Sequence, residues 1–162
     1  MSASRELHGP GENRLLSALP VEEYQRLLLY LEPVTLALGK VVYESGRRLH
    51  FVYFPTTSVV SLLYTMEDGT TAEMGLTGND GVVGVALFLG GDTTPNRAVI
   101  QVAGSALKMK AKVLQAEFAR GGALQHVLLR YTQALITQIS QTAVQPSPPS
   151  GQAPLPLAAV MP

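Results

Sequence analysis

An antiparallel β jelly-roll with flanking helices is the fold class this sequence predicts, and three observations carry the prediction. Seven short runs rich in β-branched and aromatic residues fall at 34–38, 41–44, 51–54, 59–66, 72–76, 98–102 and 106–109. Turn residues separate them, among them Gly39, Gly46, Pro55, Asp68 with Gly69, and Gly104, and no helix-length pattern intervenes as parallel strands would require. Apolar residues at helical spacing occur only before this block and after it.

The elements follow in order. Residues 1–12 hold Arg5, Glu6 and Glu12 but no basic-then-apolar sequence of a secretory signal, and are expected to be flexible. Asn13 is placed to cap a short helix carrying Leu15, Leu16 and Leu19; Pro20 opens a second helix with Tyr24, Leu27, Leu28 and Leu31, which Pro33 is expected to end. The jelly-roll with this helical preface spans 13–122. After the strands, Leu114 and Phe118 mark a short helix, and Gly121-Gly122 separates it from a long one at 123–143. In that helix Leu124, Leu128, Tyr131 and Leu135 step by four, three and four, and Ile139 extends the stripe. Such spacing is a coiled-coil seam, and one jelly-roll does not easily cover it together with Val127, Leu129 and Ile136, so a partner helix is expected. The alternative, a helix lying back on its own sheet, stays open. Residues 144–162 carry no charge and six of the eleven prolines, which predicts a disordered tail.

Composition narrows the function. With 162 residues, 46% of them hydrophobic, the chain can bury one sizeable core. Twelve Lys and Arg balance twelve Asp and Glu, leaving no surplus charge to displace counterions from a nucleic acid, so autonomous DNA binding is not expected. The absence of cysteine excludes disulfides, thiolate nucleophiles and cysteine-held metals. The longest apolar stretch, 82–89, is far short of a membrane span, and a soluble, cytoplasmic protein is expected.

Three segments carry a resemblance. Phe54-Pro55 leads into Val59-Val60-Ser61-Leu62; Glu67-Asp68-Gly69 forms a hairpin tip; and the run from Gly78 through Gly81, Gly84, Val85, Ala86 and Leu87 to Phe88 is followed by Arg97-Ala98. In this order the chain resembles, over 13–143, the cyclic-nucleotide-binding-like domain at the N-terminus of Crp/Fnr-type transcription regulators. The resemblance implies an effector-sensing domain, a pocket at Gly81, Gly84, Val85, Ala86, Leu87, Arg97 and Ala98, and a dimer through Leu124, Leu128, Tyr131, Leu135 and Ile139. It also implies a continuation into a DNA-binding helix-turn-helix, for which the residues after 143 leave no room; a homodimer, or a heterodimer with a full-length relative, is the expected partnership.

The departures from the family pattern bear on the ligand. Val85 stands where nucleotide-binding members carry a Glu that accepts from the ribose hydroxyl, and Ala98 follows Arg97 where Ser or Thr is common. An unpartnered ribose hydroxyl against an isopropyl group costs roughly 1–3 kcal/mol, so neither cyclic AMP nor cyclic GMP is expected to bind. Val82, Val83, Val85, Leu87, Phe88 and Leu89 would line a pocket for an uncharged or amphipathic effector, or simply pack as core. Arg97 is expected either to hold an anion or to bridge to Asp92 or Asp80. His8, His50 and His126 lack ligand spacing, so no metal or other cofactor and no enzymatic activity are expected. A ligand-free dimerisation module is the alternative function, and a cupin-type metalloenzyme a more distant one.

Overall fold

The computed structural model describes residues 13–144; the expectations for the two termini lie outside these residues. Helices α1 (Arg14–Ser17) and α2 (Val21–Leu28) precede seven strands: β1 (Glu32–Leu36), β2 (Val41–Tyr43), β3 (Phe51–Pro55), β4 (Val59–Thr65), β5 (Thr71–Thr77), β6 (Asn96–Val102) and β7 (Gly104–Lys110). A single 3-10 turn, Val85–Phe88, sits between β5 and β6, and α3 (Ala111–Ala119) and α4 (Ala123–Val144) close the chain. The strands form a three-stranded sheet in the order β1-β7-β3 and a four-stranded sheet in the order β2-β6-β4-β5, antiparallel throughout. This is the predicted architecture, with one local difference. Pro33 does not end α2, which stops at Leu28; it lies inside β1, opposite Leu107. Proline is tolerated there because β1 is an edge strand with one neighbour, so its missing N–H breaks no second ladder.

Two apolar clusters fill the molecule. Between the sheets lie Leu36, Val60, Leu62, Val83, Ala98, Ile100 and Ala106. On the helical side, Leu16 and Leu27 of the preface meet Val52, Phe54, Leu107 and Met109 of the sheet and Leu114, Leu124 and Leu128 of the last two helices. Each fully buried side chain of this size contributes roughly 1.5–3 kcal/mol by leaving water.

Polar groups fix how the helices enter. The Asn13 side chain, wholly buried, accepts from the N–H groups of Leu15 (3.0 Å) and Leu16 (3.3 Å) and donates to the carbonyls of Pro55 (2.8 Å) and Gly81 (3.1 Å). One amide therefore caps α1 and ties it to β3 and to the loop after β5. Helix α2 is a second clamp: Glu23 accepts from the Leu124 N–H (3.0 Å) at the start of α4, and Arg26 donates through Nε (3.1 Å) and Nη2 (2.9 Å) to buried Glu117 of α3. A carboxylate at a helix N-terminus satisfies an orphan donor and meets the positive end of the dipole.

Replacing Asn13 by Ala is expected to cost about 3 kcal/mol, combining a lost cap with two orphaned carbonyls. Asn13→Asp, which keeps the cap acceptor but has no donor for Pro55 and Gly81, is expected to lose at least as much. Urea unfolding of both variants checks this; an Asp variant as stable as the parent would show that the two carbonyls do not depend on the amide.

Candidate functional site

The segment after β5 is built to stay close to the sheets. Val83 and Tyr53 exchange both backbone hydrogen bonds (3.0 and 2.8 Å), pinning the loop to β3. Gly84 then turns the chain at φ +112°, a conformation a side chain resists, and a β-carbon there would come within 3.4 Å of the Phe51 carbonyl. A single 3-10 turn, Val85–Phe88, follows. Leu87 and Phe88 bury themselves; Phe88 stacks on Phe118 of α3 at 5.3 Å, and Gln115 donates to the Leu87 carbonyl (3.1 Å). Val82, Val83, Leu87 and Phe88 are core residues, Val85 and Ala86 pack half-buried against the same core, and Leu89 is exposed, which matches the core-packing alternative for all but Leu89.

The start of β6 decides what faces the interior. Alternation puts Asn96 and Ala98 on one face and Arg97 on the other. Asn96 accepts from the Tyr43 hydroxyl (2.8 Å) and reaches Met74 Sδ (3.9 Å), while Ala98 is fully buried between the sheets. Arg97 turns to the outer side, where its Nε lies 3.0 Å from Glu44 Oε1 and its Nη2 3.5 Å from Oε2. The expected salt-bridge partners Asp92 and Asp80 are not used: Asp92 sits 3.2 Å from Arg48, and Arg97 pairs with Glu44 instead, because β2 is its neighbour in the sheet. The Nε–H is buried and poorly aligned with its carboxylate, so this is an ion pair without a good hydrogen bond. With 31% and 52% of the two side chains exposed, it is worth at most about 1 kcal/mol.

Tyrosines close the interior. Burial holds the Tyr43 hydroxyl well above its ordinary value of 10.0, and repulsion from Tyr131 adds to this. Tyr131 descends from α4 with its hydroxyl 3.5 Å from Thr77 Oγ1; burial raises it as well, the Thr77 contact opposes this, and Asp80 pushes upward again. Gly81 makes room for this ring: a β-carbon on it would fall 2.6 Å from the Tyr131 hydroxyl. Burial also raises Tyr53. The Tyr43–Asn96 pair and the Tyr131–Thr77 contact were not singled out from sequence, although in/out alternation along 96–102 would have flagged Asn96.

Helix α4 shows two faces. Leu124, Leu128 and Leu135 are buried, the first two in the core of their own domain, Tyr131 packs against that core, and Ile139 is half-buried. The roll therefore covers most of the stripe that spacing alone assigned to a partner. Leu129 (45%) and Ile136 (57%) are the exposed large apolar residues of the helix among those whose side chains are described. His50 and His126 are exposed and apart from this site, and no group of three or more His, Asp and Glu side chains fit for a metal occurs among the described residues. Nor is any described helix long and apolar enough to cross a membrane.

No family profile and no curated protein sequence matches the chain. Solved structures do match. The chain is similar to the c-di-GMP responsive global regulator CLP of Xanthomonas campestris, with 15% identity, TM-score 0.66, and coverage of 76% of this chain and 63% of that one. It is also similar to the Thermus thermophilus catabolite activator protein, at 19% identity and TM-score 0.66 over 80% of this chain and 61% of that one. This domain has the cyclic-nucleotide-binding-like fold. A third structure of this kind, the N-terminal domain of a transcriptional regulator from Streptomyces coelicolor A3(2), gives 20% identity and TM-score 0.59 over 83% of this chain and 94% of that one. The cyclic-nucleotide-binding-like domain seen here spans less than two thirds of the first two of these regulators.

The three raised tyrosines set a pH dependence. Unfolded, each gives up its proton near its ordinary value of 10.0; folded, each holds it higher, so the folded state binds more protons in that range. Their contribution is complete at neutral pH and is lost as pH rises above 10.0. Denaturant unfolding across the alkaline range should show this fall, and Tyr43→Phe should make it shallower; an unchanged slope would contradict burial as the cause.

Proposed function

We propose that this domain is the sensory domain of a Crp/Fnr-type transcription regulator, not an enzyme, whose inner site is closed to cyclic nucleotides and whose long helix pairs two copies. The observation that carries the ligand reading is the register of β6. A neutral Asn96, already engaged by Tyr43, holds the inward position, and the only cation of that segment points outward to Glu44. A cyclic phosphate brought inside would meet no guanidinium and, at Val85, no acceptor for its ribose. The 3-10 turn adds too little aligned dipole to replace that charge. What supports a regulatory reading is the fold shared with the regulator structures above.

The pairing reading rests on a second stripe of α4. Gln125, Leu129, Thr132, Ile136 and Ile139 step by four, three, four and three, which is heptad spacing; Leu129 and Ile136 are its exposed members, Gln125 and Ile139 are half-buried and Thr132 is buried at its edge. On this reading residues 13–122 form the roll and α4 is shared between it and a second copy. The stripe is drawn from Leu129 and Ile136 and not from Leu124 and Leu128, which the roll itself consumes.

Titration calorimetry with cyclic AMP and cyclic GMP should give no binding; micromolar affinity for either would sink the ligand reading. Light scattering should give a dimer, and Leu129→Asp with Ile136→Asp a folded monomer. Leu128→Asp should instead unfold the domain, since burying an unpaired carboxylate costs several kcal/mol. A wild-type monomer at micromolar concentration would end the pairing proposal.

A further inference from the structure

Outside the closed interior, a groove of about 570 Å³ runs between α1, the end of β5 and one flank of α4. Its size falls within the roughly 300–1,000 Å³ of small-molecule clefts. Leu15, Val127 and Ala134 supply apolar walls, and Arg14, Arg130 and Asp80 stand on its lining. Neither arginine makes an ion pair among the described residues, although both are exposed. Two guanidiniums against one carboxylate leave a single positive charge beside a hydrocarbon surface.

We infer that this groove binds an amphipathic monocarboxylate, its alkyl chain along Leu15, Val127 and Ala134 and its carboxylate between Arg14 and Arg130. Asp80 on the same lining disfavours a dianion, and the guanidinium fork matches a carboxylate in a way no neutral head group does. The groove stays open when two copies pair. Residues two apart on a helix project about 160° from each other, so Val127 and Ala134 face away from Leu129 and Ile136. A ligand there touches both α1 and α4, linking the preface to the long helix; in this sense the inference rests on the sensory reading and names its ligand class.

The test uses the whole chain with decanoate, 1-decanol and acetate, followed by calorimetry and by melting monitored through circular dichroism. Decanoate should bind and raise Tm by mass action, acetate should do neither, and decanol should bind at least about ten-fold more weakly. Arg14→Gln with Arg130→Gln, two surface changes that leave the fold intact, should weaken decanoate by about ten-fold or more while leaving decanol unchanged. Ala134→Phe, which fills the groove, should remove decanoate binding with a native dichroism spectrum. No binding of decanoate, equal binding of acid and alcohol, or an arginine double variant that binds as the parent does would overturn the inference. Light scattering on the same samples separates the two proposals: a monomer that binds decanoate refutes pairing alone, and a dimer that does not bind it refutes the groove alone.

Discussion

The docking of α4 onto its own roll is the interaction on which the rest of the molecule depends. Leu124 and Leu128 enter the helical-side core, and Tyr131 follows them down to Thr77 and the space left by Gly81. That single arrangement has three consequences. It places a phenol in the interior, it fixes which helical stripe stays exposed, and it forms one wall of the groove beside α1. Glu23 and the Arg26–Glu117 pair hold the start of the helix in place, so the docking is anchored at its N-terminal end by charge-assisted hydrogen bonds as well as by apolar burial.

The inner site illustrates how sharply a strand discriminates. Side chains alternate at every residue, so a displacement of one position exchanges the inward and outward sets completely. Asn96 and Arg97 are neighbours in sequence, yet one is committed to Tyr43 and Met74 inside and the other to Glu44 outside. The cassette-like run of glycines is present, but its backbone is pinned to Tyr53 and its apolar side chains are spent on core packing, which leaves few groups free to meet a ligand. The hydroxyls of Tyr43 and Tyr131 lie on the inner side, held protonated by burial.

Much of the fold was legible because local rules and global packing agree. Every predicted run became a strand with boundaries shifted by two residues or fewer, Asn13 caps the helix it was expected to cap, and the long helix ends within one residue of its expected limit. The candidate site was legible only in part. The glycine pattern marked the loop after β5, where Gly84 does turn the chain at positive φ. The partner of Arg97 was not legible, because Asp92, Asp80 and Glu44 are equivalent in sequence until strand pairing brings β2 against β6.

What the sequence by itself determined is the alternation of apolar and turn residues, and with it an antiparallel roll framed by helices, since those periodicities are properties of the backbone. Only the tertiary structure decided the direction of Arg97, the cap supplied by Glu23, and which of two heptad stripes on α4 the roll covers. The reason is physical. Both stripes, 124-128-131-135 and 125-129-132-136, have the same spacing, and spacing states that a face will be buried without stating against what. Contacts between residues a hundred positions apart, such as Glu23 with Leu124, exist only once the chain has closed.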